Sequence, residues 1–223
     1  MAAGEYAALE LASSPAIYWK CQEAAAHLQD SSGNGIHATT STPVIDYSQL
    51  GPTSMGDRSI ILHGGSKITA STTAGSAVNN VTYEAFINVN IDQGNDSYIV
   101  YNGTPATSGS GICWRTSTQN FAYLVGNVAF GPAFAGATVL NTWHHIAIVR
   151  SAGTWIYYRD GVVDTTNAGS SAPNVPAGSF QLFPSVSQQF QMSHVAYYET
   201  ALSAATIASH YLAASSMGSG SII

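Results

Sequence analysis

The segment WHHIAIVRSAGTWIYYRDGVVDTTN, Trp143 to Asn167, limits the fold more than any other part of the chain. Trp143–Arg150 and Thr154–Arg159 are dense in Ile, Val, Trp and Tyr and hold no Gly or Pro, the composition of strands. Ser151-Ala152-Gly153 makes a short turn between them. Asp160-Gly161 is a two-residue hairpin turn, because such turns need positive φ. The segment therefore predicts a three-stranded antiparallel meander. Side chains on a strand alternate between faces, so His144 and His145 point apart and are not expected to chelate one ion. What looks catalytic along the sequence is dispersed by strand geometry.

The rest of the chain reads the same way. AIYWKCQ is a strand, and others are expected near 59–63, 67–71, 81–90, 97–102, 111–117, 120–127, 179–184 and 189–198. In VTYEAFINVN, Val81, Tyr83, Ala85, Ile87 and Val89 face one way, and Thr82, Glu84, Phe86, Asn88 and Asn90 the other. Gln29–Thr40 is turn chemistry with Asn34-Gly35 at its sharpest point, Thr40–Asp57 a long irregular connection, and Gly109-Ser110-Gly111 a turn. A short helix is expected over 5–12 with Tyr6, Leu9 and Leu11 apolar. A second follows a Ser203 N-cap, with Ile207, Tyr211 and Leu212 at helical spacing. Many short strands with terminal helices predict an all-β, two-sheet antiparallel sandwich. Residues 1–216 are expected to form one domain and 217–223 a flexible tail, whose Ser221-Ile222-Ile223 either docks on a neighbour or frays.

Composition removes several function classes. Charged residues make up 8% of the chain, against roughly 25% in an average globular protein. Six Lys plus Arg and a net charge of −6 argue against nucleic acid as a partner. No apolar window approaches the length of a membrane span, so membrane insertion is not expected. The start, with Glu5 and Glu10 and no basic residue, does not read as a secretory signal. Cys21 and Cys113 sit in apolar contexts and read as buried free thiols, with one disulfide as the alternative. Trp143 and Trp155 are expected in the core, and His145 as a hydrogen-bonded core histidine. No nucleophile elbow, zinc spacing or phosphate loop is present. In Asn90–Ser97, NIDQGNDS, the residues Asp92, Asn95 and Asp96 could supply oxygen ligands to calcium, although Asx-rich loops also form simply as turns. No other cofactor is expected.

The ordered motifs SPAIYWKCQE, DSSGNGIHAT, VTYEAFINV, NTWHHIAIVRSAGTWIYYRDGVV and MSHVAYYETALSAATIASHY resemble the laminin-G-like, concanavalin-A-like jelly rolls. The likeness is to the bacterial and phage type and runs from about Tyr6 to Tyr211. It implies two antiparallel sheets of six or seven strands, glycan or protein adhesion, and in some members calcium. This chain departs from the pattern at Met192-Ser193-His194, where relatives carry an acidic pair, and at Arg159, where they carry an apolar residue. Glucanases of this fold need paired carboxylates on one strand, and no Glu-x-Asp-x-x-Glu occurs here. The reading is a non-enzymatic virion-surface protein, a minor tail or capsid decoration component. Its expected partners are other virion proteins or its own copies, and host-surface glycans. The alternative is a secreted bacterial carbohydrate-binding module located outside the cell.

Overall fold

A computed structural model describes residues 4–25, 27–40, 45–52, 57–126, 129–170, 172–183 and 188–215. The tail at 217–223 lies outside the described residues. In chain order the elements are α1 (Gly4–Ala12), β1 (Ile17–Trp19), β2 (His27–Leu28), β3 (Ala38–Thr40), β4 (Ile45–Leu50), β5 (Arg58–His63), β6 (Ile68–Ala70), β7 (Asn80–Ile91) and β8 (Ser97–Asn102). They continue with β9 (Ser110–Arg115), β10 (Asn120–Val125), β11 (Ala129–Ala133), β12 (Trp143–Ser151), β13 (Thr154–Arg159), β14 (Val162–Asn167), β15 (Phe180–Phe183), β16 (Gln189–Tyr198) and α2 (Ala204–Ser215).

Sheet A has the order β14-β13-β12-β7-β16-β5-β4, with β1 paired to the second half of β16. Sheet B runs β11-β10-β9-β8-β15-β6-β3-β2. Every pairing is antiparallel, so the two-sheet sandwich expected from the sequence is the observed fold. Among the described residues each sheet has eight strands, not six or seven. The additions include very short segments, such as the two residues of β2, which extend an edge that already exists.

The meander is β12-β13-β14, turned by Asp160 and Gly161 at φ 52° and 76°. On β7 the alternation sets the layers. Val81, Tyr83, Ala85, Ile87 and Val89 enter the core between the sheets. Thr82, Glu84, Phe86 and Asn88 are buried as well, because α1 and α2 cover this outer face of sheet A, with Tyr6, Ala213 and Ala214 against Phe86. No helix of the described residues is long and apolar enough to cross a membrane.

Several expectations change. Tyr6 and Ile207 are buried as expected, but Leu9, Leu11 and Leu212 are exposed, and Ala7, Glu10, His210, Ala213 and Ala214 take the rest of the buried faces. The stretch expected as an irregular connection contains β4, bulged between Asp46 and Gln49 around Ser48 at φ 54°. Ala38–Thr40 pairs as a strand rather than closing the turn before it. Ser110 and Gly111 belong to β9, and β11 was not foreseen because Gly131 and Pro132 interrupt it. Trp155 is fully buried, stacked on Tyr123 at 4.5 Å between centroids. Trp143 is only half-buried, in a cleft beside Tyr211 and Asp160, because β12 begins there at the sheet's end. Cys21 and Cys113 are both free and buried, and burial pushes both thiols up.

Candidate functional site

The outer face of sheet B is assembled by register. His27 lies opposite Thr39, Thr39 opposite Thr69, and Thr69 opposite Gln181. Near the end of β15, Phe183 lies opposite Tyr98. Ile68, Ala70, Phe180 and Leu182 point into the core, so alternation turns Thr69, Gln181 and Phe183 outward. They line a cavity of about 430 Å³ together with Lys67, Tyr98 and Thr104. The Lys67 ammonium stands 5.8 Å from the Phe183 ring centroid. Gln181 Nε2 donates to Gly103 O at 2.8 Å, and Thr104 Oγ1 donates to Ala177 O at 2.6 Å, which fixes the rim. Gly178 sits there at φ 107°, and a Cβ on it would come within 2.8 Å of Thr104 Oγ1. Half-exposed aromatic rings beside hydroxyl, amide and ammonium groups can stack on a sugar face and bond its hydroxyls.

A second polar cluster lies under the helices on sheet A. Glu84 Oε1 accepts from His145 Nε2 at 2.6 Å, and both its oxygens lie 3.1 Å from His210 Nδ1. Glu10 Oε1 is 3.4 Å from the same nitrogen, and Glu10 Oε2 accepts from the Tyr198 hydroxyl. Glu10, Glu84 and His145 are wholly buried, and His210 nearly so. Glu10 and Glu84 are a close carboxylate pair, both sealed from solvent. The chemistry available is cohesion: the cluster ties both terminal helices to β7, β12 and β16.

Burial alone would raise the Glu84 carboxyl, but hydrogen bonds from His145 and His210 reverse this and hold it low. Burial and then the Glu84 charge raise Glu10. Burial would lower His210, but its hydrogen bond to Glu84 and the charges of Glu84 and Glu10 lift it to about 9. The His210 contribution is therefore complete below its ordinary pKa of about 6.5 and is lost as pH rises through about 9. Glu10, also raised, adds a loss in the same direction. Glu84, lowered, contributes above the ordinary carboxylate range and loses its contribution in strong acid. The melting temperature should accordingly be lower at pH 9 than at pH 6, and scanning calorimetry at both values checks it.

The expected site residues separate. His144 Nδ1 donates to Asp160 Oδ2 at 3.0 Å, while His145 turns to Glu84, so the two histidines do part. Asp92, Asn95 and Asp96 do share one loop, anchored to Thr116. Thr116 Oγ1 donates to Asp92 Oδ1 at 2.8 Å, and its amide donates to Asp96 Oδ1 at 3.0 Å. Asp92 Oδ1, Asn95 O and Thr116 Oγ1 all surround Gln188 Nε2, so an amide nitrogen stands where a cation would. Calcium takes roughly six to eight oxygen ligands, and this set, with Arg115 3.7 Å from Asp96, does not fit one. Met192-Ser193-His194 replaces acids with a bulge: His194, at φ 52°, bonds Asp57 at 2.7 Å and the Tyr18 hydroxyl at 2.5 Å. Arg159 bonds Asn120 Oδ1 at 2.9 Å and the carbonyls of Gly136 and Ala137.

Sequence reasoning missed Glu10, Glu84 and His210 as a group, and gave no ligand role to Lys67, Gln181 or Phe183. A signal existed for part of the first set. Glu84, His145 and His210 each lie inside a separate motif, in TYEAF, WHHIA and ASHY, and the fold brings the three together.

A family model described as the concanavalin A-like lectin/glucanases superfamily, laminin G type, matches residues 62–208. No curated protein matches the chain. Among solved structures, the botulinum neurotoxin serotype D binding domain is similar at TM-score 0.65 and 14% identity, over 90% of this chain and 51% of that one. The type G receptor-binding domain aligns at TM-score 0.67 and 15% identity, over 89% and 51%. Trypanosoma rangeli sialidase aligns at 0.67 and 12%, over 91% of this chain and 33% of its own. The chain thus spans about half the length of the toxin domains, and at such identities the likeness is one of fold. From the motifs, the paired antiparallel sheets and the matched residues, the chain belongs to the concanavalin A-like lectin/glucanases superfamily.

Proposed function

We propose that the chain is a non-enzymatic glycan-binding module whose sugar site is the outer-face groove of sheet B. The observation that carries this reading is the cross-strand pair Tyr98 and Phe183, half-exposed beside Thr69, Gln181 and Lys67. Rings at such positions give a sugar a stacking surface without unfolding anything. The toxin structures named as receptor-binding domains support the reading by analogy of fold. In a glycan array followed by titration calorimetry, Phe183→Ala should weaken binding at least about tenfold, equivalent to about 1.4 kcal/mol. The melting temperature should hardly move. Unchanged affinity in that variant, or sugar release during incubation with the wild-type chain, counts against the proposal. The Asp92–Asn95–Asp96 loop acts in this reading as a hydrogen-bonded latch on Thr116 and Gln188, with no calcium required.

A finer reading places the module on a virion surface, beside other virion proteins or its own copies and facing a host glycan. What favours it is the phage-type spelling of WHHIAIVR and ALSAATIASHY. The alternative is a secreted adhesion module. Labelling the chain by antibody on native particles separates the two, since a secreted module leaves the particles unlabelled.

A further inference from the structure

The groove does not stop at Thr69. That residue also lines a second cavity, of about 330 Å³, whose walls include His27, His37, Thr39 and Ser71. Register explains the continuity, since His27, Thr39, Thr69 and Gln181 form one row across β2, β3, β6 and β15. Neighbouring strands lie roughly 4.8 Å apart, so this row alone covers roughly 14 Å, and β8 adds one more step. A strip of that length accommodates several linked rings rather than one.

Its charge runs against that of the chain. The sequence holds twelve acids against six Lys plus Arg, yet among the described residues no Asp or Glu lines either cavity. The strip carries the Lys67 ammonium at one end and the imidazole rings of His27 and His37 at the other, 5.6 Å apart. The backbone amide of Asp30 donates to His37 Nδ1 at 3.1 Å. That leaves the ring hydrogen on Nε2 and makes this nitrogen a donor. The acids flanking this end are turned elsewhere. Asp30 accepts from the amides of Tyr18, Ser32 and Ile36, and Glu23 from that of Gln29. An ammonium and N–H donors, with no carboxylate among the described lining residues, favour an anionic ligand.

Resting on the glycan-binding reading, we propose that the groove takes an anionic oligosaccharide. It lies across β2, β3, β6, β15 and β8, with acidic groups at Lys67 and at the His27–His37 pair. The shared chemistry is carboxylate or sulfate on a linear chain of sugars.

The test titrates the full chain with maltotetraose, tetragalacturonate and a sulfated tetrasaccharide, each beside its disaccharide. At least one acidic tetrasaccharide should bind at least tenfold tighter than maltotetraose and than its own disaccharide. The two acidic arms tell carboxylate from sulfate recognition. Lys67→Gln and His27→Gln should each weaken that binding several-fold at unchanged melting temperature, and Lys67→Arg should retain it. Added salt should weaken it too. If maltotetraose binds as tightly, with loss in Phe183→Ala but not in Lys67→Gln, the anionic assignment is overturned while the groove reading stands. Equal affinity for disaccharide and tetrasaccharide overturns the extended site. Absence of binding to every sugar overturns both readings.

Discussion

Replacing Glu84 by glutamine is expected to cost about 3–5 kcal/mol of stability, the usual penalty for removing one partner of a buried ion pair. Glutamine has nearly the same shape, so lost packing contributes little. What changes is charge. Glu84 accepts from His145 at 2.6 Å and from His210 at 3.1 Å in a site sealed from water. Without its carboxylate, His210 must lose its proton or stay charged with less compensation, and His145 Nε2 loses its charged acceptor. Both terminal helices depend on the same atoms, because His210 comes from α2 and Glu10 from α1. Urea unfolding followed by circular dichroism measures the loss, and a drop below about 1 kcal/mol would fall within the range of an exposed pair. The variant should also lose the His210 part of the difference in melting temperature between pH 6 and pH 9, while the part from Glu10, raised first by burial, remains.

Trp155→Ala should cost about 3–5 kcal/mol, as large-to-small changes in a packed core do. The ring is fully buried, stacked on Tyr123 at 4.5 Å, and carries the Arg150 guanidinium 5.3 Å from its centroid. Truncation opens a cavity and strips the cation of an aromatic neighbour. Trp143→Ala should cost less, about 1–2 kcal/mol, because only part of that ring leaves water. Thermal melts of the two variants side by side check the order. Equal losses would show that the cleft around Trp143 packs as tightly as the core.

The contrast between the two tryptophans marks the reach of the sequence. Both stand in strands of one meander, and the sequence alone determined that meander: alternation sets the faces, and Asp160-Gly161 sets the turn through sterics acting over a few residues. The same local physics determined the long strands β7, β12 and β16, the Ser203 cap and the sandwich class. Depth of burial was not local. Trp155 points between the sheets onto Tyr123, while Trp143 points to the opposite, helix-covered face beside Phe86, and only the packing of sheet B and the helices decides how deeply each face is sealed. Helix faces were decided in the same way. Leu9, Leu11 and Leu212 have the apolar spacing of a buried face, but Glu10 and His210 take it. His210 meets Glu84 from 126 positions away along the chain, and Glu10 meets Tyr198 from 188. The groove is likewise tertiary, since Thr69, Gln181 and His27 acquire a common row only when β2, β3, β6 and β15 pair. A polar side chain is buried or exposed according to the partner it meets, and that partner is supplied by the fold rather than by its neighbours in sequence.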